Sequence, residues 1–185
     1  MKKTNNKGFS LVELIIVIAI MAILAGAIAP ALIRYIDKSR KSNDVSSAKT
    51  IKTAIETSMS NEDAYEALTT GDANSISDLD GNAISYAGKI EFTPSTTTAG
   101  TGAGVTITTA TNATVASTAV NDAKAEIGKN IGEKIPKIAY KKAADDTNKP
   151  TSFYAYISTG GSVIVGLGDG TNFYQLAPTV SKYYQ

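Results

Sequence analysis

The only carboxylate in an otherwise apolar N-terminal stretch is Glu13, and it sits five residues after Gly8 in Gly8-Phe9-Ser10-Leu11-Val12-Glu13-Leu14. An acid sunk into hydrocarbon costs up to about 3 kcal/mol and calls for a positive partner. Hydrolysis of the peptide bond between Gly8 and Phe9 would leave Glu13 little more than a helical turn from a new α-amino terminus. The common acid–base, thiol and zinc arrangements are missing, because the chain has no histidine and no cysteine.

The element that must position these groups is a helix. Lys2, Lys3 and Lys7 precede the motif, and after Glu13 no charge appears until Arg34, so Leu14 to Ile33 is a run of 20 uncharged residues. At about 1.5 Å per residue it spans roughly 30 Å, the thickness of a bilayer's hydrocarbon. A secretory signal would place its small residue after a shorter apolar region. Here Gly8 comes first, so cleavage would remove a basic octapeptide and keep the membrane helix.

These residues resemble a type IV prepilin: the short lysine-rich leader, Gly8 before aromatic Phe9, the Ser-Leu-Val-Glu-Leu run at 10–14, and the apolar tail with Gly26 and Pro30. The resemblance covers roughly residues 2–34. It implies cleavage between Gly8 and Phe9 by a membrane prepilin peptidase, and N-methylation of Phe9. It also implies that Glu13 pairs with the N-terminal amine of a neighbouring subunit during assembly. The implied partners are copies of the chain in a helical filament and the pilus assembly machinery. The implied location is the cell membrane as a single-pass protein, then an extracellular cell-surface pilus serving adhesion or surface motility. The implied fold is α+β, with a long N-terminal helix packed on a C-terminal antiparallel sheet. Many Gram-negative pilins staple the head with a disulfide; a chain without cysteine fits the Gram-positive, clostridial type of major pilin. Two alternatives share residues 2–34 or the anchor: a minor pilin or pseudopilin of a type II secretion or competence system, and a non-polymerising membrane-anchored binding domain.

The domain organisation expected is a leader at 1–8, a membrane or filament-core half-helix at 9–33, an amphipathic half-helix at 34–60 and a head at 61–185. Gly26 and Pro30 lie four apart, and proline deprives the Gly26 carbonyl of its helical partner. Together they cost roughly 4 kcal/mol against alanine, which marks them as a helix break once neighbouring subunits surround the segment. Val45, Ala48, Ile51, Ile55 and Met59 then form a stripe for a head to cover, with lysines interleaved. The cluster Arg34, Lys38, Arg40 and Lys41 reads as an interfacial anchor or a source of salt bridges to neighbouring subunits.

Further along, 61–68 reads as a short helix capped by Ser60 and stopped by Gly71. Asp78–Asn82 has the composition of a calcium loop with the wrong ligand order, and reads as a turn. A strand is expected at 89–93 after a short one at 84–86. The segment 93–120 has 22 of 28 residues Ser, Thr, Ala or Gly; this composition suits an exposed polar face or O-linked sugars, and Asn112-Ala113-Thr114 matches an N-glycosylation pattern. Within it, 105–108 and 114–116 are expected to pair as a hairpin. A helix is expected at 121–131, capped by Thr118 or Asn121, with Ala123, Ile127 and Ile131 inward. The clearest β signal is a three-stranded meander over 153–157, 162–167 and 173–176, turning at Gly160-Gly161 and Asp169-Gly170. That hairpin context explains Gly166-Leu167-Gly168-Asp169-Gly170 better than a phosphate loop does. The formal charge of +1 becomes −2 on loss of Lys2, Lys3 and Lys7, which leaves no basic footprint for nucleic acid. No cofactor, metal or enzyme activity is expected.

Overall fold

A 48-residue helix, α1 (Leu11–Ser58), opens the computed structural model, which describes residues 9–94, 103–109, 112–132, 134–142 and 149–185. The chain divides into two compact units, one ending at Ser39 and the other running from Arg40 to Gln185. The first consists of the apolar part of α1. The second holds the rest of α1 with α2 (Glu62–Thr69), α3 (Ser117–Ile131), a two-stranded sheet β1–β2 (Asn74–Ser77, Ala83–Tyr86) and a five-stranded antiparallel sheet. The strands of the larger sheet are β3 (Gly88–Phe92), β4 (Val105–Thr108), β5 (Ser152–Ile157), β6 (Val163–Gly168) and β7 (Phe173–Ala177), in the order β4-β3-β5-β6-β7. The α+β class is the one the resemblance implied.

The periodicity of the second half of α1 decides what it buries. Ala48, Ile51 and Ile55 are fully buried, with Val45 and Met59 half-buried beside them. They meet Ile90, Phe92, Phe153, Leu167 and Leu176 from the inner face of the sheet in one core. Truncating a buried isoleucine of this kind to alanine costs about 2–5 kcal/mol.

The meander forms where its turn residues place it. Phe153 faces Leu167, and Ala155 faces Val165 across β5–β6; Gly161 and Gly170 take positive φ at the two turns. The strands are more deeply buried than one covered face requires, and all six residues of β5 are buried. The second face is covered by the β1–β2 hairpin, where Ile76, Ile84 and Tyr86 pack on Tyr154, Tyr156, Ile164 and Phe173. Tyr156 and Phe173 meet edge to face, centroids 4.9 Å apart, a geometry worth about 0.5–1.5 kcal/mol beyond area burial. Burial, reinforced by the neighbouring Glu91 carboxylate that accepts its hydrogen bond at 3.0 Å, pushes the Tyr154 phenol up to about 12. β1 has no counterpart among the expected strands; its Asn-Ser-Ile-Ser pattern offers just Ile76 as an apolar signal.

Gly166 shows how tightly this sheet is closed. A β-carbon there would lie 2.0 Å from the Tyr174 carbonyl oxygen and 2.7 Å from Cζ of Phe173, beside the bulge between Val165 and Gly166. Gly166→Ala is therefore expected to destabilise the protein by about 1–3 kcal/mol despite the entropy alanine removes from the unfolded chain. A thermal melt of the full chain in detergent, followed by circular dichroism, checks this.

Three local expectations are corrected. The proposed hairpin partner of 105–108 is not 114–116: β4 pairs with β3, Val105 opposite Phe92 and Ile107 opposite Ile90. Those apolar cross-strand pairs have no counterpart in residues 114–116, which lead without strand pairing into α3. α3 starts at Ser117 rather than Asn121, so Thr118 and Asn121 lie inside it, and Ala116 stands at the cap with no side-chain bond. Val120, at three residues before Ala123, carries the apolar spacing back by a turn. The cap of α2 is Asn61, not Ser60: its Oδ1 accepts from the N–H groups of Asp63 (2.9 Å) and Ala64 (3.4 Å). The helix stops at Thr69, two residues before Gly71 turns the chain with φ +113.

One polar group holds the C-terminal region to α1. Asp44 is fully buried, and its two carboxylate oxygens accept from the N–H groups of Ala139 (2.7 Å) and Tyr140 (2.8 Å). Burial pushes its carboxyl above the usual range, opposed by those two hydrogen bonds. Beside it, Lys41 reaches the main-chain oxygen of Gln185 at 3.3 Å and sits over the Tyr140 ring. Tyr184, buried in the core, donates from its hydroxyl to the Tyr140 carbonyl. Charge, ring and hydrogen-bond contacts thus hold the tail where no disulfide exists.

Candidate functional site at the start of the long helix

The candidate site is built on the first turn of α1. Glu13 reaches back so that Oε2 accepts the backbone N–H of Ser10 at 2.9 Å, while Leu14 N–H closes the turn on the Ser10 carbonyl at 3.2 Å. Ser10 thus caps the helix, and Ser10-Leu11-Val12-Glu13 has the Ser-x-x-Glu spacing of a capping box. The spacing is itself the sequence signal for this cap. One oxygen of Glu13 holds its own helix end, in the register a carboxylate favours at a helix N-terminus. A carboxylate accepts up to about four hydrogen bonds, so the group retains the capacity to meet an amine while staying in place.

Phe9, one residue before the cap, is 85% exposed. Gly8 and the residues before it, expected as a leader, lie outside the described residues. Beyond the cap, Leu11, Leu14, Ile15, Ile18, Met21 and Leu24 are all more than half exposed. The apolar surface runs around the helix with nothing covering it. By length and composition α1 can cross a membrane; a bare surface of this size marks a membrane or protein contact.

The helix is continuous through Gly26 and Pro30 in this single chain. Nothing lies within 4 Å of where a β-carbon on Gly26 would stand, so no contact inside the chain demands a glycine there. Whatever requires it acts through the backbone or through a neighbouring molecule.

The other sequence candidates resolve into structure. Asp78 closes its turn by accepting from the N–H and the Nδ2 of Asn82 at 2.7 and 2.8 Å. Asp80 accepts from the Lys182 N–H at 3.3 Å, with the Lys182 ammonium 3.6 Å away. Asp169 accepts from the N–H groups of Thr171 and Asn172 and the Asn172 side chain. Burial alone would raise its carboxyl, but these bonds outweigh that and hold it below the usual range. Among the described residues no three carboxylates converge as metal ligands would. Gly166–Gly170 ends β6 and turns into β7. Asn112 is exposed with φ +63, its amide donating to Asp72. Lys41, one of the four bases that follow the apolar run, is engaged within its own unit as described above.

The prokaryotic N-terminal methylation motif matches residues 3–29. The type IV major fimbrial protein FimA of Dichelobacter nodosus is 46% identical over 55 residues, which is 30% of this chain and 35% of that protein. The type IV major pilin protein PilA of Myxococcus xanthus is 38% identical over 61 residues, 33% of this chain and 28% of its own length. The chain thus spans about a third of the length of the curated relatives it matches. No solved structure matches it.

Proposed function

We propose, starting from a chain that carries the N-terminal segment of the type IV pilins on an α+β scaffold, that it is the structural subunit of a type IV pilus. It is anchored in the cell membrane by α1, cleaved after Gly8, methylated on Phe9 and polymerised into a cell-surface filament. The absence of cysteine favours the Gram-positive type of major pilin. The observation that carries the reading is the pairing of an uncovered apolar helix surface with one acid, Glu13, held in a fixed position one turn from the would-be terminus. Burial of the half-helices among copies drives association; at about 25 cal/mol per Å² of apolar area, a few hundred Å² per contact supplies several kcal/mol. The Phe9 amine and Glu13 set the axial step. Gly26 and Pro30 supply a segment that can lose helical bonds when packed.

The test is mass spectrometry of material sheared from the surface of cells making this chain. The expected result is an abundant protein whose N-terminus is Phe9 and whose mass is one methyl group above the cleaved chain. A mature N-terminus at Met1, or a chain confined to the membrane with none in the sheared fraction, would overturn the reading.

A further inference from the structure

The near-neutral formal charge hides a strong segregation within the unit from Arg40 to Gln185. Positions 53–88 contain seven acids and no lysine or arginine. Glu62, Asp63, Glu66 and Asp72 of this stretch are exposed, the first three on α2. Positions 40–52 contain four bases and one acid, and that acid, Asp44, is the buried one. Positions 134–149 contain five lysines against two acids. Asp44 binds the backbone at Ala139 and Tyr140, so the lysines of 134–142 are brought to the same end of the unit as Arg40 and Lys41. There, Lys137 and Lys141 flank a shallow cleft with Ile138 and Pro150, and both are exposed.

Lys52 and Glu56 form an ion pair where the basic and acidic stretches meet on α1. Arg40 lies roughly 24 Å from Glu56 along the helix at about 1.5 Å per residue, beyond the Debye length of about 8–10 Å at physiological salt, so the charges away from that junction do not neutralise one another within one molecule. A second copy can supply what each pole lacks. Joining unlike patches of identical chains is a heterologous contact, which propagates as an open helical array instead of closing into a dimer.

We infer that the acidic α2 face, centred on Glu62 and Glu66, docks on the basic pole of another copy, centred on Lys137 and Lys141. This contact between globular units rests on the filament reading and adds a second, electrostatic interface to the apolar one. Glu62 and Glu66 are four apart and so share one side of α2; both clusters are surface groups, and their reversal leaves the core untouched.

The experiment compares sheared filament yield from cells producing four full-length chains: wild type, Lys137→Glu with Lys141→Glu, Glu62→Lys with Glu66→Lys, and the chain carrying all four changes. Each double reversal sets like charge against like charge and is expected to lower yield about tenfold, and the fourfold exchange to recover most of it. The neutral pair Lys137→Gln with Lys141→Gln should fall between wild type and the reversal. Circular dichroism of each purified chain in detergent verifies that the fold is kept. Wild-type yields from the double reversals, or a fourfold exchange no better than either double, would overturn this contact and leave the filament reading standing. Absence of filaments from the wild-type chain would overturn both.

Discussion

Glu13→Ala is expected to leave a cleaved, membrane-inserted chain and to reduce sheared filaments by about two to three orders of magnitude. The estimate follows from the asymmetry of buried ion pairs. Removing one partner leaves the other charge uncompensated in an apolar surround, at about 3–5 kcal/mol, and each 1.4 kcal/mol is about a factor of ten in the association constant. Among the described residues Glu13 accepts only the Ser10 N–H. Its loss weakens the helix cap by at most about 1 kcal/mol, too little to unfold a helix this long or to release it from the membrane. Glu13→Lys should be at least as severe, since it brings two cations together. Glu13→Gln retains the capping acceptor but not the charge, and it separates the two roles: a loss of filaments comparable to alanine assigns the effect to the ion pair. The measurement is filament yield against total processed chain, by immunoblot of sheared and membrane fractions. Wild-type filament yield from Glu13→Ala would sink the assembly mechanism, however the chain is processed.

Asp44→Ala is expected to lower the stability of the globular unit by about 3 kcal/mol, with a drop in Tm of about 5–15 °C. The substitution strands two buried N–H groups, at Ala139 and Tyr140, and releases the strap that carries them. Asp44→Asn keeps one acceptor and should cost less, about 1–2 kcal/mol. The two variants also differ from the wild type in their pH dependence. Burial holds the Asp44 carboxyl above its ordinary value. Between the unfolded and folded values the folded chain binds a proton more readily than the unfolded one. Stability contributed through this group therefore falls as pH rises through that window, then levels off above it. Asp44→Asn removes that component, so its stability relative to wild type should improve as pH rises from the acid range towards neutrality. Denaturant unfolding of the full chain in detergent at a series of pH values checks both the size and the sign. A difference between wild type and Asp44→Asn that does not vary with pH would refute the protonation account.

The N-terminal segment was legible because its message is local. A basic leader, a glycine before an aromatic residue, a lone acid and twenty uncharged residues are read without knowing what lies elsewhere in space. The meander over β5–β7 was legible for the same reason, since its turns need the positive φ that glycine at 161 and 170 supplies. The stripe Ala48, Ile51, Ile55 declared which side of α1 would be covered. Local reading reached its edge at the caps. Asn61 competes with Ser60 for one helix start, and α3 gains a turn from Val120 that its polar neighbours disguise.

Tertiary structure alone decided the rest. Nothing in 105–116 says that 105–108 prefers β3, because the competing partner is a strand a dozen residues upstream whose Ile90 and Phe92 supply the apolar pairs. The second covered face of the sheet depends on Ile76, Ile84 and Tyr86 arriving from a hairpin with little apolar signal of its own. Asp44 looks like a surface acid among lysines, yet it is buried, because its hydrogen-bond donors come from residues 95 and 96 positions away. Sequence periodicity records how much surface an element hides from water. Which distant backbone groups will satisfy a buried charge is a property of the closed fold, since those donors are brought to it only when the chain packs.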